Sequence, residues 1–260
     1  HHKDFRLSLM QGSRSNEIEY LVDLGWGILD DALVETAAYT LERGGFDRSL
    51  FSDTRKGPRL HDGIEELHWH HRRRSFFNLV PGNQLLYWLS SEQLELLNAD
   101  SRFEPDLGRV TKGLSTSDDE RFVRLRWEVP AEVDQPRWIP FSKGGEYGWF
   151  SGDTHLVINW ASDGKEVAAF NDFIGGNVAR SRQSSRYYFL PAIRWSRRST
   201  RGLSFRRMRR GTIFSDKSPV VVTSRPKDAE WLGILLASDL YHGLVEDQST
   251  GGSYETGAVK

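Results

Sequence analysis

Apolar positions in this chain come in short clusters, and the spacing inside each cluster points to a particular element. Residues 19–24 (EYLVDL) form a compact run ending at Gly25, as a buried strand would. Trp26-Gly27 marks a turn. Residues 32–43 are open to two readings. Ala, Leu and Glu favour a helix capped by Asp30-Asp31, whereas the β-branched and aromatic content of 34–41 favours a strand. Residues 44–63 are polar and glycine-rich and read as a linker or loop. A short segment follows at 69–80, opened by the basic run His68-Trp69-His70-His71-Arg72-Arg73-Arg74, which reads as a phosphate-facing loop. Pro81-Gly82-Asn83 marks a turn. Ser90-Ser91 caps a helix expected over 92–98, with Leu94, Leu96 and Leu97 on its apolar side.

Beyond that helix the pattern becomes short strands broken by Gly and Pro. Strands are expected at 122–129, 138–141, 155–160, 167–170, 187–190, 193–195, 203–206, 212–214 and 220–223. Helix signals return at 228–240, where Trp231, Leu232, Ile234, Leu235 and Leu236 form a broad apolar face. No internal repeat is visible. The expected class is α+β with a strand-rich larger part.

Charge changes this picture. The 260 residues carry a formal net charge of -1, yet the balance is uneven. Residues 15–67 hold twelve acids and five Lys or Arg, whereas 173–215 hold eleven arginines and no acid. Like charges repel, so a segment this basic does not serve stability and calls for a polyanion. Arginine forks onto phosphate and onto guanine, which makes nucleic acid the first candidate partner. Aromatic residues (Tyr187, Tyr188, Phe189, Trp195, Phe205 and Phe214) interleave with the arginines. Strand alternation would send most of the aromatics into the core and the arginines out to one face. Zero cysteines exclude disulfides and thiolate metal sites and fit a cytoplasmic protein. No apolar run reaches the length of a membrane span, and no secretory signal is visible. His1-His2 reads as the end of a purification tag, and residues to about 15 as an arm.

Catalytic chemistry finds little foothold. Asp30-Asp31 is better explained as a cap than as a carboxylate pair, and His68, His70 and His71 lack a carboxylate at ligand spacing, so no metal site is expected. Gly144-Gly145 and Gly175-Gly176 lack the Lys-Ser/Thr of a phosphate loop, and no G-x-S-x-G elbow occurs. The residues point to a binding face and to no catalytic group.

Several segments together resemble a known family. The run 22–39 (VDLGWGILDDALVETAAY) resembles a stretch late in the catalytic domain of large adenine-specific DNA methyltransferases, foremost the methyltransferase of BREX phage-defence systems and the related type IIG restriction-methyltransferases. Residues 112–122 (KGLSTSDDERF) resemble the G-L-x-T-G-D-N-x-x-F signature of their target-recognition region. Residues 143–147 (KGGEY) and 155–160 (HLVINW) resemble the block and strand that follow it, and 202–206 (GLSFR) and 252–257 (GSYETG) resemble two later blocks. The blocks occur in the family's order. Ser117 stands where the family has Gly, and Asp119 where it usually has Asn.

The resemblance implies a strand rather than a helix at 34–41. It also implies a division into an arm and the last catalytic-domain strands (1–43), a linker (44–66) and a target-recognition domain (67–260). Neither the glycine-rich S-adenosylmethionine turn nor the N-P-P-Y motif that grips the flipped adenine occurs in these residues. The expectation is therefore a fragment that supplies sequence choice while the parent binds S-adenosylmethionine. Its partner is double-stranded DNA, with other defence-system subunits or a phage DNA mimic as further partners. The expected DNA contacts are Lys112, Thr116, Lys143, Tyr147, Arg180, Arg182, Arg186, Arg197, Arg198, Arg201, Arg206, Arg209 and Arg210. Loop 196–200 is expected to project into a groove, and only one of the strand neighbours Arg206 and Arg207 can face the DNA. Base reading is expected from a few arginines, Asn177 or Gln183. Two rival readings make different demands. A single-strand binding module needs Tyr187, Tyr188 and Trp195 exposed for stacking. A protein-interaction domain with an Arg-rich face needs no affinity for DNA.

Overall fold

The computed structural model describes residues 16–31, 34–43, 48–54, 67–80, 83–98, 103–104, 107–130, 137–152, 154–225, 227–247, 249 and 252–259. The arm at 1–15, most of the linker and Pro81-Gly82 lie outside the described residues. The chain divides into two compact units, His1–Asp100 and Ser101–Lys260.

In the first unit, β1 (Asn16–Gly25), β2 (Thr36–Arg43), β3 (Arg48–Asp53) and β4 (His70–Arg73) form one sheet in the order β2-β1-β3-β4. Residues 36–43 are thus a strand, antiparallel to β1, and the helix reading of 32–43 is overturned. β3 lies where a linker was expected. Its anchor is Phe51, 1% exposed, stacked on Tyr87 at 5.1 Å between ring centroids. The basic run is corrected too: His70–Arg73 pairs antiparallel with β3, and Arg72 turns inward to donate to the carbonyls of Tyr87 (2.7 Å) and Leu89 (3.2 Å). That pairing and the Phe51–Tyr87 stack place residues 67–98 in the first unit, so the division falls after Asp100 rather than near 67. Two helices follow, α1 (Arg74–Leu79) and α2 (Ser91–Leu97). As expected, Ser90 caps α2: its hydroxyl accepts from the Gln93 amide, and Gln93 Oε1 accepts from the Ser90 amide.

The second unit is mixed α and β and rich in strands. β5 (Gly108–Thr111), α3 (Asp119–Phe122), β6 (Val123–Leu125), a 3-10 turn (Arg126–Glu128), β7 (Trp138–Ser142), β8 (Leu156–Asn159), α4 (Ala161–Phe173) and α5 (Val178–Ser181) come first. A second 3-10 turn (Ser185–Tyr187), β9 (Ala192–Arg194), β10 (Arg206–Met208), β11 (Ile213–Phe214), β12 (Val220–Thr223), α6 (Asp228–Leu236), α7 (Asp239–Asp247) and α8 (Thr256–Val259) complete it. The strands build two four-stranded sheets, β10-β9-β12-β5 and β11-β7-β8-β6. One core gathers Trp195, Phe205, Val221, Leu232 and Tyr254; the other gathers Leu114, Phe141, Ile158, Trp160, Tyr188 and Phe214. Gly113 marks the closest approach of β5's exit to β11, since a Cβ there would lie 1.8 Å from the Phe214 carbonyl oxygen.

Four expected elements are corrected. Residues 167–170 are helical, within α4: past the left-handed residues 162–164 that kink its start, Val167 and Asn171 are buried one helical turn apart, and Ala168-Ala169 suit a helix. Residues 187–190 do not run as a strand because Phe189 adopts φ 65°, which ends any extended run. The strand expected at 122–129 shrinks to β6, with α3 before it and a 3-10 turn after it. The single helix expected at 228–240 is instead two, α6 and α7, because the Ser238 hydroxyl donates to the Leu235 carbonyl and accepts from the Tyr241 amide. Among the described residues no helix is long and apolar enough to cross a membrane, and no group of three or more His, Asp or Glu could hold a metal ion.

Candidate nucleic-acid interface

Strand alternation sorts the arginines. In β10, Arg206 points inward, Arg207 outward and Met208 inward, so one of the neighbouring pair faces solvent and it is Arg207. Arg206, expected on the DNA face, is corrected: it is 2% exposed. Across the antiparallel β9–β10 pair it faces Arg194, also 2% exposed. These two guanidinium groups hold loops. Arg194 donates to Ser142 Oγ (3.0 Å) and to the Gly144 carbonyl (2.9 Å). Arg206 donates to the Glu146 carbonyl and to Ser196 Oγ (2.6 Å), and Ser196 in turn donates to the Gly145 carbonyl (2.7 Å). The carbonyls of the KGGEY loop therefore face inward. Burial holds the Arg206 pKa below its usual value.

Loop 196–200 does not project freely. Arg198 bridges Ser253 in antiparallel fashion, the Ser199 amide donates to Gly252, and the Tyr254 amide donates to Arg197. Gly252 makes this fit possible at φ 69°, since a Cβ there would lie 2.4 Å from the Ser199 carbonyl oxygen. Arg197 pairs with Glu255 at 2.6 Å. Arg201 lies over the Tyr147 ring, 5.3 Å from its centroid, and Arg186 over Tyr187 at 4.7 Å. Arg182 pairs with Asp163, whereas Arg180 on α5 is exposed. Of the expected stacking residues, Tyr188 is 4% and Trp195 0% exposed, so both belong to the core.

Thr116, Lys143 and Lys217 meet around one carboxylate. Asp119 accepts from Thr116 Oγ1 at 2.6 Å and from Lys143 Nζ, and Lys217 Nζ stands 3.7 Å away. Burial alone would raise the Asp119 pKa; the Lys143 and Thr116 hydrogen bonds and the charge of Lys217 together outweigh it and hold the carboxyl below its ordinary value. Thr116 is itself buried and Lys112 half-buried. Both departures from the family signature fall here. Ser117, in place of Gly, adopts φ 61°, and its hydroxyl donates to Asn171 Oδ1 at 2.6 Å. Asp119, in place of Asn, supplies the charge that fixes Lys143. A depressed carboxylate stabilises the fold above its unfolded pKa and loses that contribution as pH falls. The melting-temperature gap between the wild-type chain and Asp119→Asn is thus expected to be full at pH 7 and to close below about pH 4, as thermal melts across pH would show.

The open basic surface lies elsewhere. A groove of about 910 Å³ is lined by Arg126, Arg207, Arg209 and Arg210, with Phe150 and Thr154 on its walls. All four arginines are exposed. The sheet assembles them. β6 pairs with β8, and the Arg126 amide donates to the His155 carbonyl (2.8 Å), which brings Arg126 beside Thr154. The Arg207 amide donates to the Phe150 carbonyl (2.9 Å), holding Phe150 at φ 59°, a residue 59% exposed. Gly152 rests on the buried arginines, since a Cβ there would lie 2.8 Å from Arg194 Nη2 and 2.9 Å from Arg206 Cδ. Of the expected contacts only Arg209 and Arg210 line this groove. Arg126, Phe150, Thr154 and Arg207 escaped the sequence reading, although the rule that one of Arg206 and Arg207 faces outward already contained the last.

No family model matches the chain. Two curated proteins do. The chain is 26% identical over 156 residues to the adenine-specific methyltransferase PglX of Lacticaseibacillus casei (strain Zhang), covering 56% of this chain and 13% of that protein. It is 27% identical over 220 residues to the adenine-specific methyltransferase BrxX of Escherichia coli O9:H4 (strain HS), covering 75% of this chain and 16% of that protein. The chain thus spans less than a fifth of either relative's length. In sequence it is similar to one stretch of each of these two adenine-specific methyltransferases.

Proposed function

We propose that the second unit recognises duplex DNA on behalf of an adenine-N6 methyltransferase of a phage-defence system of the BREX kind or of a related restriction-modification system. The observation that carries this reading is the groove in which Arg126, Arg207, Arg209 and Arg210 converge from β6's exit and β10's neighbourhood. Among the described residues none of these four exposed guanidinium groups makes an ion pair or a side-chain hydrogen bond, and each can fork onto phosphate or a guanine edge. Arg180 and Arg198, also exposed, add phosphate contacts at the margins. An acidic protein that mimics duplex DNA would compete for the same groove.

The glycine turn after β1 (Gly25-Trp26-Gly27) leads toward antiparallel β2 rather than into a helix, so it lacks the helix N-terminus that a glycine-rich S-adenosylmethionine turn uses. The cofactor and methyl transfer are assigned to the parent's other residues, and this chain's part is to choose the site.

Fluorescence anisotropy with a labelled duplex at several salt concentrations tests the reading. Four to five neutralised phosphates give a slope of log K against log salt of about -4. A response flat with salt would instead favour a protein partner for the arginine surface.

A further inference from the structure

At the end of the arginine groove stands an aromatic pair that the phosphate contacts do not use. Trp127 belongs to the 3-10 turn Arg126–Glu128 and is 72% exposed. Its ring stacks on His155, with centroids 6.4 Å apart and planes 28° from parallel. A cavity of about 390 Å³ is lined by Arg126, Trp127, Thr154 and His155. Arg126 and Thr154 also line the larger groove, so the two spaces share a wall.

The pair is held in place from both sides. The Arg126 amide donates to the His155 carbonyl at 2.8 Å, tying the turn to the start of β8. Glu128 Oε2 accepts from the Leu125 amide at 2.8 Å and closes the turn around Trp127. Folding gains little from an indole left this open to water. A ring with one side on imidazole and much of the rest in solvent, beside guanidinium groups, has the composition of a base-stacking platform.

We propose that Trp127, backed by His155, stacks on a nucleobase that has left the helical stack, while Arg126, Arg207, Arg209 and Arg210 hold the flanking phosphates. This inference rests on the DNA reading above and adds to it. The arginines bind any duplex, whereas Trp127 favours DNA carrying an unpaired base. Every base has a π-face, so the platform tolerates sequence and responds to unstacking.

Two duplexes of one sequence separate these roles: one fully paired, the other with a single 2-aminopurine opposite an abasic site. The chain is expected to bind the second about tenfold more tightly, a modest value for a base–aromatic stack, and to quench its 2-aminopurine fluorescence. Trp127→Ala is expected to lose the preference and the quenching while holding the paired duplex within about twofold, since its phosphate contacts are intact. Trp127→Phe, which keeps a stacking face, retains most of the preference. The platform is overturned, with DNA binding intact, if the wild-type chain shows no preference or if Trp127→Ala keeps it. Failure of the wild-type chain to bind either duplex at low salt overturns both readings together.

Discussion

Duplex binding is expected to fall by about three orders of magnitude at 0.1 M salt when Arg126, Arg207, Arg209 and Arg210 are replaced together by glutamine. The size follows from counterion release. Each phosphate neutralised contributes about 0.9 to the salt slope, so four lost contacts remove about 3.6 from it. The same arithmetic makes the deficit shrink toward 1 M salt, where little counterion release remains to be gained. All four side chains are exposed, so the fold loses nothing when their charge goes. Arg197→Gln serves as the contrast. Arg197 already pairs with Glu255 at 2.6 Å, and its removal is expected to change affinity by less than about threefold. Anisotropy titrations of the two variants at three salt concentrations decide the matter. Equal losses in both would mean that affinity follows net charge rather than the groove.

What the sequence disclosed and withheld divides along physical lines. Strands with a dense β-branched or aliphatic pattern, such as β8 and β12, are legible because burial on both faces leaves continuous apolar runs. α2 was legible because Ser90 and Gln93 form a capping box that is local in sequence. Residues 167–170 (VAAF) were not, because a short apolar cluster suits strand and helix equally and only Asn171, packed in the interior, settles the period. The site shows the same boundary. Alternation stated that Arg206 and Arg207 diverge, but the choice of the inward one depends on the Glu146 carbonyl, 60 residues away. Arg126 and Thr154 meet through the β6–β8 register, a long-range pairing that no local pattern announces. The basic segment marked the partner class, yet it overstated the number of free arginines. Arg194 and Arg206 are internal, and Arg182 and Arg197 are ion-paired.

Arg206→Ala is expected to destabilise the second unit by about 3 kcal/mol and lower its melting temperature by about 10 °C. Removing the guanidinium group strands the Glu146 carbonyl and Ser196 Oγ without their donor and leaves a void beside Gly152, where an added Cβ would lie 2.9 Å from Arg206 Cδ. Each loss alone is worth one or two kcal/mol, and they fall together because one side chain supplies all of them. Arg206→Lys keeps the charge and most of the stem but has no fork, so it can serve only one of the two acceptors and is expected to cost about half as much. The effect reaches the groove. Phe150 is held by the Arg207 amide and forms a parallel bridge to Arg206, so a loosened β10 releases the wall on which the exposed Phe150 ring stands. Thermal melts of the three proteins, with limited proteolysis read at the 143–152 loop, measure both consequences. A melting temperature for Arg206→Ala within about 2 °C of wild type, with the loop still protected, would mean that the loop carbonyls are satisfied without Arg206 and that the buried pair is not what shapes the groove.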